Sequence, residues 1–73
     1  MNKTFKIKNE EELNSTTVLI TSTESLVIND VLIDKNDTNI KYKVIGIIGN
    51  KYKLQPLVGT IDFKELEVFK LNS

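Results

Sequence analysis

The sequence predicts a mostly β fold: a small barrel or rolled antiparallel sheet of five or six short strands, with at most one or two single-turn helices. Three observations carry that reading. The apolar and β-branched residues come in short runs or strict alternation, and no stretch sustains a helical 3.6-residue period. Turn-forming Asn, Asp, Gly and Pro separate the runs. Two of the runs flank Gly49-Asn50, a dipeptide suited to a two-residue hairpin turn. Closing or rolling such a sheet removes the exposed edges that a flat one would leave.

Lys3 to Lys8 alternates, with Phe5 and Ile7 on one face and Lys on the other, the pattern of a half-buried strand. Asn9 followed by Glu10, Glu11 and Glu12 predicts either an N-cap and the first turn of a helix lasting to about Asn14, because acids suit the positive end of the helix dipole, or a plain turn. Residues 16–22 are β-branched and uninterrupted, a second strand. Leu26 to Ile33 is apolar except for Asn29-Asp30, a pair that tolerates left-handed backbone and predicts a bend. Asp34 to Asn39 is an exposed loop.

The hairpin at residues 40–55 follows. A two-residue turn at Gly49-Asn50 sets Ile47 opposite Tyr52 and Ile45 opposite Leu54. It also puts Ile45 and Ile47 on one face of the strand, with Tyr42, Val44 and Ile48 on the other. Pro56 cannot donate to a ladder and marks a strand end or a sheet edge. After the Gly59-Thr60 turn, a one-turn helix is expected near Lys64–Leu66, then a closing strand near Glu67–Leu71.

From Val27 onward the order of elements resembles small bacterial and phage SH3-like barrels. The residues that carry the resemblance are Val27-Ile28-Asn29-Asp30-Val31-Leu32-Ile33, the hairpin Lys43 to Leu54 with Gly49 at its tip, and Phe63-Lys64-Glu65-Leu66-Glu67-Val68. Asn29 stands where those barrels more often have Gly. The resemblance implies a fold and no activity, since such barrels serve unrelated functions. It divides the single domain, 1–73, into a barrel-like core at 26–71 and an N-terminal strand–turn–strand extension at 1–25.

Composition narrows function by exclusion. The 73 residues contain no Cys and no His, so neither a thiolate nor an imidazole is present for metal binding or acid–base work. Ser and Thr therefore lack a His base, and no phosphate-cradling Gly loop exists. Asp30, Asp34 and Asp37 are close in sequence, but the calcium-loop pattern needs a central Gly and a distal Glu that are both missing. These acids read as a solvated loop. No catalytic, cofactor or metal site is expected, and the protein reads as a non-enzyme. The polar N-terminus and short apolar runs predict neither secretion nor membrane spanning, hence a cytoplasmic protein, or a virion-associated one if phage-encoded. Lys, Asn and Ile dominate and Arg and Ala are missing, the bias of an AT-rich bacterial or bacteriophage gene.

Ten Lys balance ten acids, but unevenly: residues 9–39 hold seven acids and only Lys35, whereas residues 40–55 hold four Lys and no acid. The candidate interaction surface is therefore Lys41, Tyr42, Lys43, Val44, Ile48, Lys51 and Lys53. Lysines beside aromatics can bind a phosphate backbone and stack bases. Neutral net charge and the lack of Arg favour a protein partner instead. Residues 18–20 and 26–33 are apolar on both faces, so a second face needs cover: the 1–25 extension, another protein, or a copy of the same chain. The expected function is protein–protein interaction. The alternatives are a homo-oligomeric assembly subunit and a nucleic-acid-binding barrel.

Overall fold

Turn chemistry builds most of the architecture. In the computed structural model, which describes residues 3–71, six strands follow one another: β1 (Thr4–Asn14), β2 (Thr17–Ser22), β3 (Val31–Asp34), β4 (Lys41–Ile48), β5 (Lys51–Val58) and β6 (Glu65–Lys70). Gly49 has φ +61° at the first position of the β4–β5 turn, the conformation that a two-residue hairpin requires there. Asn29 has φ +80°, and Asp30 N–H donates to the Val27 carbonyl at 3.1 Å. That is a type II turn with Asn in the place usually held by Gly. The Asp30 carboxylate accepts the Val27 N–H at 2.9 Å and locks the turn.

All the pairings are antiparallel, and the strands close into a barrel in the order β1-β2-β5-β4-β3-β6. β3, β4 and β5 are consecutive neighbours and β6 returns beside β3, a Greek key. The β1–β2 hairpin then fills the gap between β5 and β6. The segment read as an extension at 1–25 thus supplies two of the six staves, and no helix forms among the described residues. Residues 1, 2, 72 and 73 of the 1–73 unit lie outside the described residues. No helix of the described chain is long and apolar enough to cross a membrane.

The core lies inside the barrel, with Ile7, Ile20, Leu32, Val44, Leu54 and Val68 essentially without solvent contact. Register aligns them: Val18, Leu54 and Val44 form one row across β2, β5 and β4, and Leu32 faces Tyr42. Full burial stabilises each such side chain by about 1.5–3 kcal/mol. Bulges bend the strands enough to close, with two in β1, one in β4 and one in β5.

Two local expectations are overturned, each by pairing, while the sheet-edge reading of Pro56 holds. The helix start at Asn9–Asn14 is instead the second half of β1, where Asn9, Glu11 and Glu12 pair with Ile20, Leu19 and Val18. An N-cap stabilises by about 1 kcal/mol; it gives way to the ladder that the buried β2 run needs. The one-turn helix at Lys64–Leu66 is absent because β6 begins at Glu65, and Leu66 is already opposite Ile7. Pro56 lies inside β5, opposite Tyr42 and next to the bulged Leu57. The β2 ladder has ended at Leu54, so β5 has a neighbour on one side only at Pro56, as a residue without N–H tolerates.

Candidate functional site

Ile47 does lie opposite Tyr52, but Ile45 does not face Leu54. Ile45 is the extra residue of the β4 bulge: Gly46 pairs with Lys53 and Val44 with Leu54. One inserted residue reverses which side chains share a face. Tyr42 and Val44 point inward and are buried, whereas Ile48 falls on the outer face beside Lys51 and is 51% exposed. The grouping of Tyr42, Val44 and Ile48 on one face is therefore corrected. Two of the seven candidate surface residues, Tyr42 and Val44, are core, and Ile45 joins the surface at 38% exposure.

The four lysines remain together. Inward Tyr42, Val44, Tyr52 and Leu54 alternate with Lys41, Lys43, Lys51 and Lys53, so all four lysines stand on the outer face of β4–β5. Each is half-buried. Gly46 makes room for one of them: a Cβ there would lie 3.2 Å from Lys53 Cδ, so the Lys53 chain crosses the β4 backbone at Gly46. Among the described residues, none of the four lysines forms an ion pair. The ion pairs present lie elsewhere, Lys3–Glu24 at 2.9 Å and Lys35–Glu67 at 3.5 Å. Glu24 and Glu67 are held below the usual carboxylate range chiefly by hydrogen bonds, from Lys3 to Glu24 and from the Thr4 hydroxyl to Glu67.

The aromatics do not accompany the lysines. Tyr42 packs edge-on against Phe63 with ring centroids 5.6 Å apart, and burial pushes its phenol above the ordinary range. Tyr52 packs against the core, and its hydroxyl accepts the Leu26 N–H at 3.2 Å. Tyr42 is buried and Tyr52 is half-buried against the core, so neither ring stands free beside the lysines.

Residues 1–25 do not fold over the barrel as a cover, because β1 and β2 are staves of it. Leu19 and Ile33 are buried yet lie outside the core cluster. In the ladders Leu19 sits between Glu11 and Lys53, and Ile33 between Lys41 and Phe69. Long side chains flanking an apolar residue on a sheet face are suited to cover it. Exposed apolar side chains at the hairpin end are Val27 and Ile28 beside β4, then Ile45, Ile47 and Ile48; Leu57 and Val58 are exposed at the other end of β5, and Leu13 and Leu71 elsewhere. Asn29 N–H donates to the Val44 carbonyl at 2.8 Å, which places the Val27–Asp30 turn against the start of that hairpin-end stretch.

Asp30, Asp34 and Asp37 act as turn locks. Asp34 accepts the Asn36 N–H at 2.8 Å and Asp37 the Asn39 N–H at 3.1 Å. No cluster of three potential metal ligands occurs among the described residues. Among the described residues, two surface depressions, of about 260 and 240 Å³, lie on the β1–β2 side and near Lys3, away from the lysine face. No family model, curated protein or solved structure matches the chain.

Proposed function

We propose that this barrel is a non-enzymatic protein-interaction module of the small SH3-like kind, and that it docks through the outer face of β4–β5. One observation carries the reading: the Ile45 bulge sets exposed Ile45 and Ile48 among four outward lysines with no ion pair of their own. An apolar centre with a charged rim is the usual anatomy of a protein interface. The partner it fits is a protein surface with an apolar centre and an acidic border. The inward tyrosines count against nucleic acid, because a lysine row without stacking platforms binds phosphates only weakly and without preference.

Salt separates the two readings. Four lysines on a phosphate backbone would give log K a slope of about −3 to −4 against log salt. Fluorescence anisotropy with labelled single- and double-stranded DNA and RNA is expected to show no sub-micromolar binding at physiological salt. Changing Lys41, Lys43, Lys51 and Lys53 together to Glu is expected to slow association with a captured protein partner while leaving the fold intact. Tight nucleic-acid binding that this variant loses would replace the protein reading.

A further inference from the structure

We infer that copies of this chain join end to end, the free edge of β4 on one copy taking the free edge of β1 on the next. The barrel closes only over part of each strand. On its β3 side, β4 is paired as far as Val44, whose N–H donates to the Asp30 carbonyl at 2.9 Å. From Ile45 to Ile48 that edge has no partner among the described residues. On its β6 side, β1 is paired to Lys8, and Asn9 N–H still reaches the Lys64 carbonyl at 2.9 Å. From Glu10 to Asn14 that edge is equally unpaired among the described residues. An open edge is a template for another strand.

The two edges suit each other. The β4 edge is apolar, with Ile45, Ile47 and Ile48 exposed, and Lys53 lies across it at Gly46. The β1 edge carries Glu10, Glu11 and Glu12 with exposed Leu13. Glu11 and Lys53 are both on the outer face, flanking Leu19 in the ladders, and neither forms an ion pair among the described residues. Direction also fits. Across β1, β2, β5 and β4 the strands alternate, so a second copy in the same orientation lays its β1 antiparallel to β4. The β1 overhang sits at the β1–β2 turn and the β4 overhang at the Gly49-Asn50 turn, opposite ends of the barrel. The contact is head-to-tail and repeats, so it does not stop at a dimer. Zero net charge removes the general repulsion between copies.

An overhang of four or five residues buries less than about 1,200 Å² in total, the class of weak contacts, so association is expected in the micromolar-to-millimolar range. It shares Ile45, Ile48 and Lys53 with the docking face but not Lys41 or Lys43, so those two lysines separate its failure from that of the partner reading. The test is sedimentation of the full chain over a concentration series. The weight-average mass is expected to rise past that of a dimer. Glu11→Lys alone and Lys53→Glu alone are each expected to weaken association by about tenfold or more, and an equimolar mixture of the two to restore it. Lys41→Glu with Lys43→Glu is expected to leave self-association unchanged while slowing the outside partner. Circular dichroism verifies folding; if either single variant is unfolded, the milder Glu11→Gln and Lys53→Gln are each expected to show the same loss of association. A monomer at every concentration, a mass that halts at the dimer, or a mixture that fails to recover would each overturn the inference. So would an acidic extended peptide that saturates the β4 edge while the chain alone stays monomeric.

Discussion

Deleting residues 1–25 is expected to abolish folding. Those residues contain β1 and β2, which bridge β5 to β6, and they bring Phe5, Ile7, Val18 and Ile20 into the core. Four apolar side chains at about 1.5–3 kcal/mol each amount to most of the stability a small domain has. Their loss also strips β5 and β6 of ladder partners, leaving backbone groups to water and the edges to aggregation. The truncated chain is expected to give a disordered circular dichroism spectrum with no cooperative melt. A truncation that stays folded and monomeric would mean that β1 and β2 are a cover on a complete smaller barrel.

Val44→Asp and Ile48→Asp are expected to differ sharply although the two residues are four apart on one strand. Val44 is 0% exposed, in the row with Val18 and Leu54, and among the described residues no buried cation stands beside it. An unpaired charge there is expected to cost about 4 kcal/mol or more, enough to unfold the chain. Ile48 is half exposed on the outer face, so Ile48→Asp is expected to stay within about 0.5 kcal/mol of the parent. Its effect falls on docking, where it puts a carboxylate at the centre of the apolar patch. Urea melts read the difference. Equal destabilisation would place both residues on one face and remove the bulge from the account.

Features with a local cause were legible before the fold was known. Gly49-Asn50 dictates its own turn, and Asn29 takes the left-handed conformation for the same short-range reasons. The strand runs were legible because β-branched residues fit a pleated surface whichever strands flank them. Features that depend on a distant partner were not. Asn9-Glu10-Glu11-Glu12 has the chemistry of a helix start, and only pairing with β2 makes it a strand. The bulge at Ile45 exists because of how β4 meets Lys53 and Leu54 across the ladder. Gly46 was its one visible sign, since a glycine inside a strand pattern marks a bulge or a close approach. A strand read without that bulge puts Tyr42 and Val44 on the surface and leaves Ile45 out of the site. The free edges come from the stagger of the closed barrel, a property of all six strands that no single segment encodes.

The outer-face docking account is tested most directly by site-specific photo-crosslinking in a lysate of the source cells. The crosslinking residue replaces Ile48 on the outer face in one variant and Asn36 in the β3–β4 loop in another. The account predicts a discrete protein adduct from position 48, lost when Lys43, Lys51 and Lys53 are changed to Glu, and none from position 36. Adducts of equal yield from both positions, or an adduct at 48 indifferent to the lysines, would contradict it.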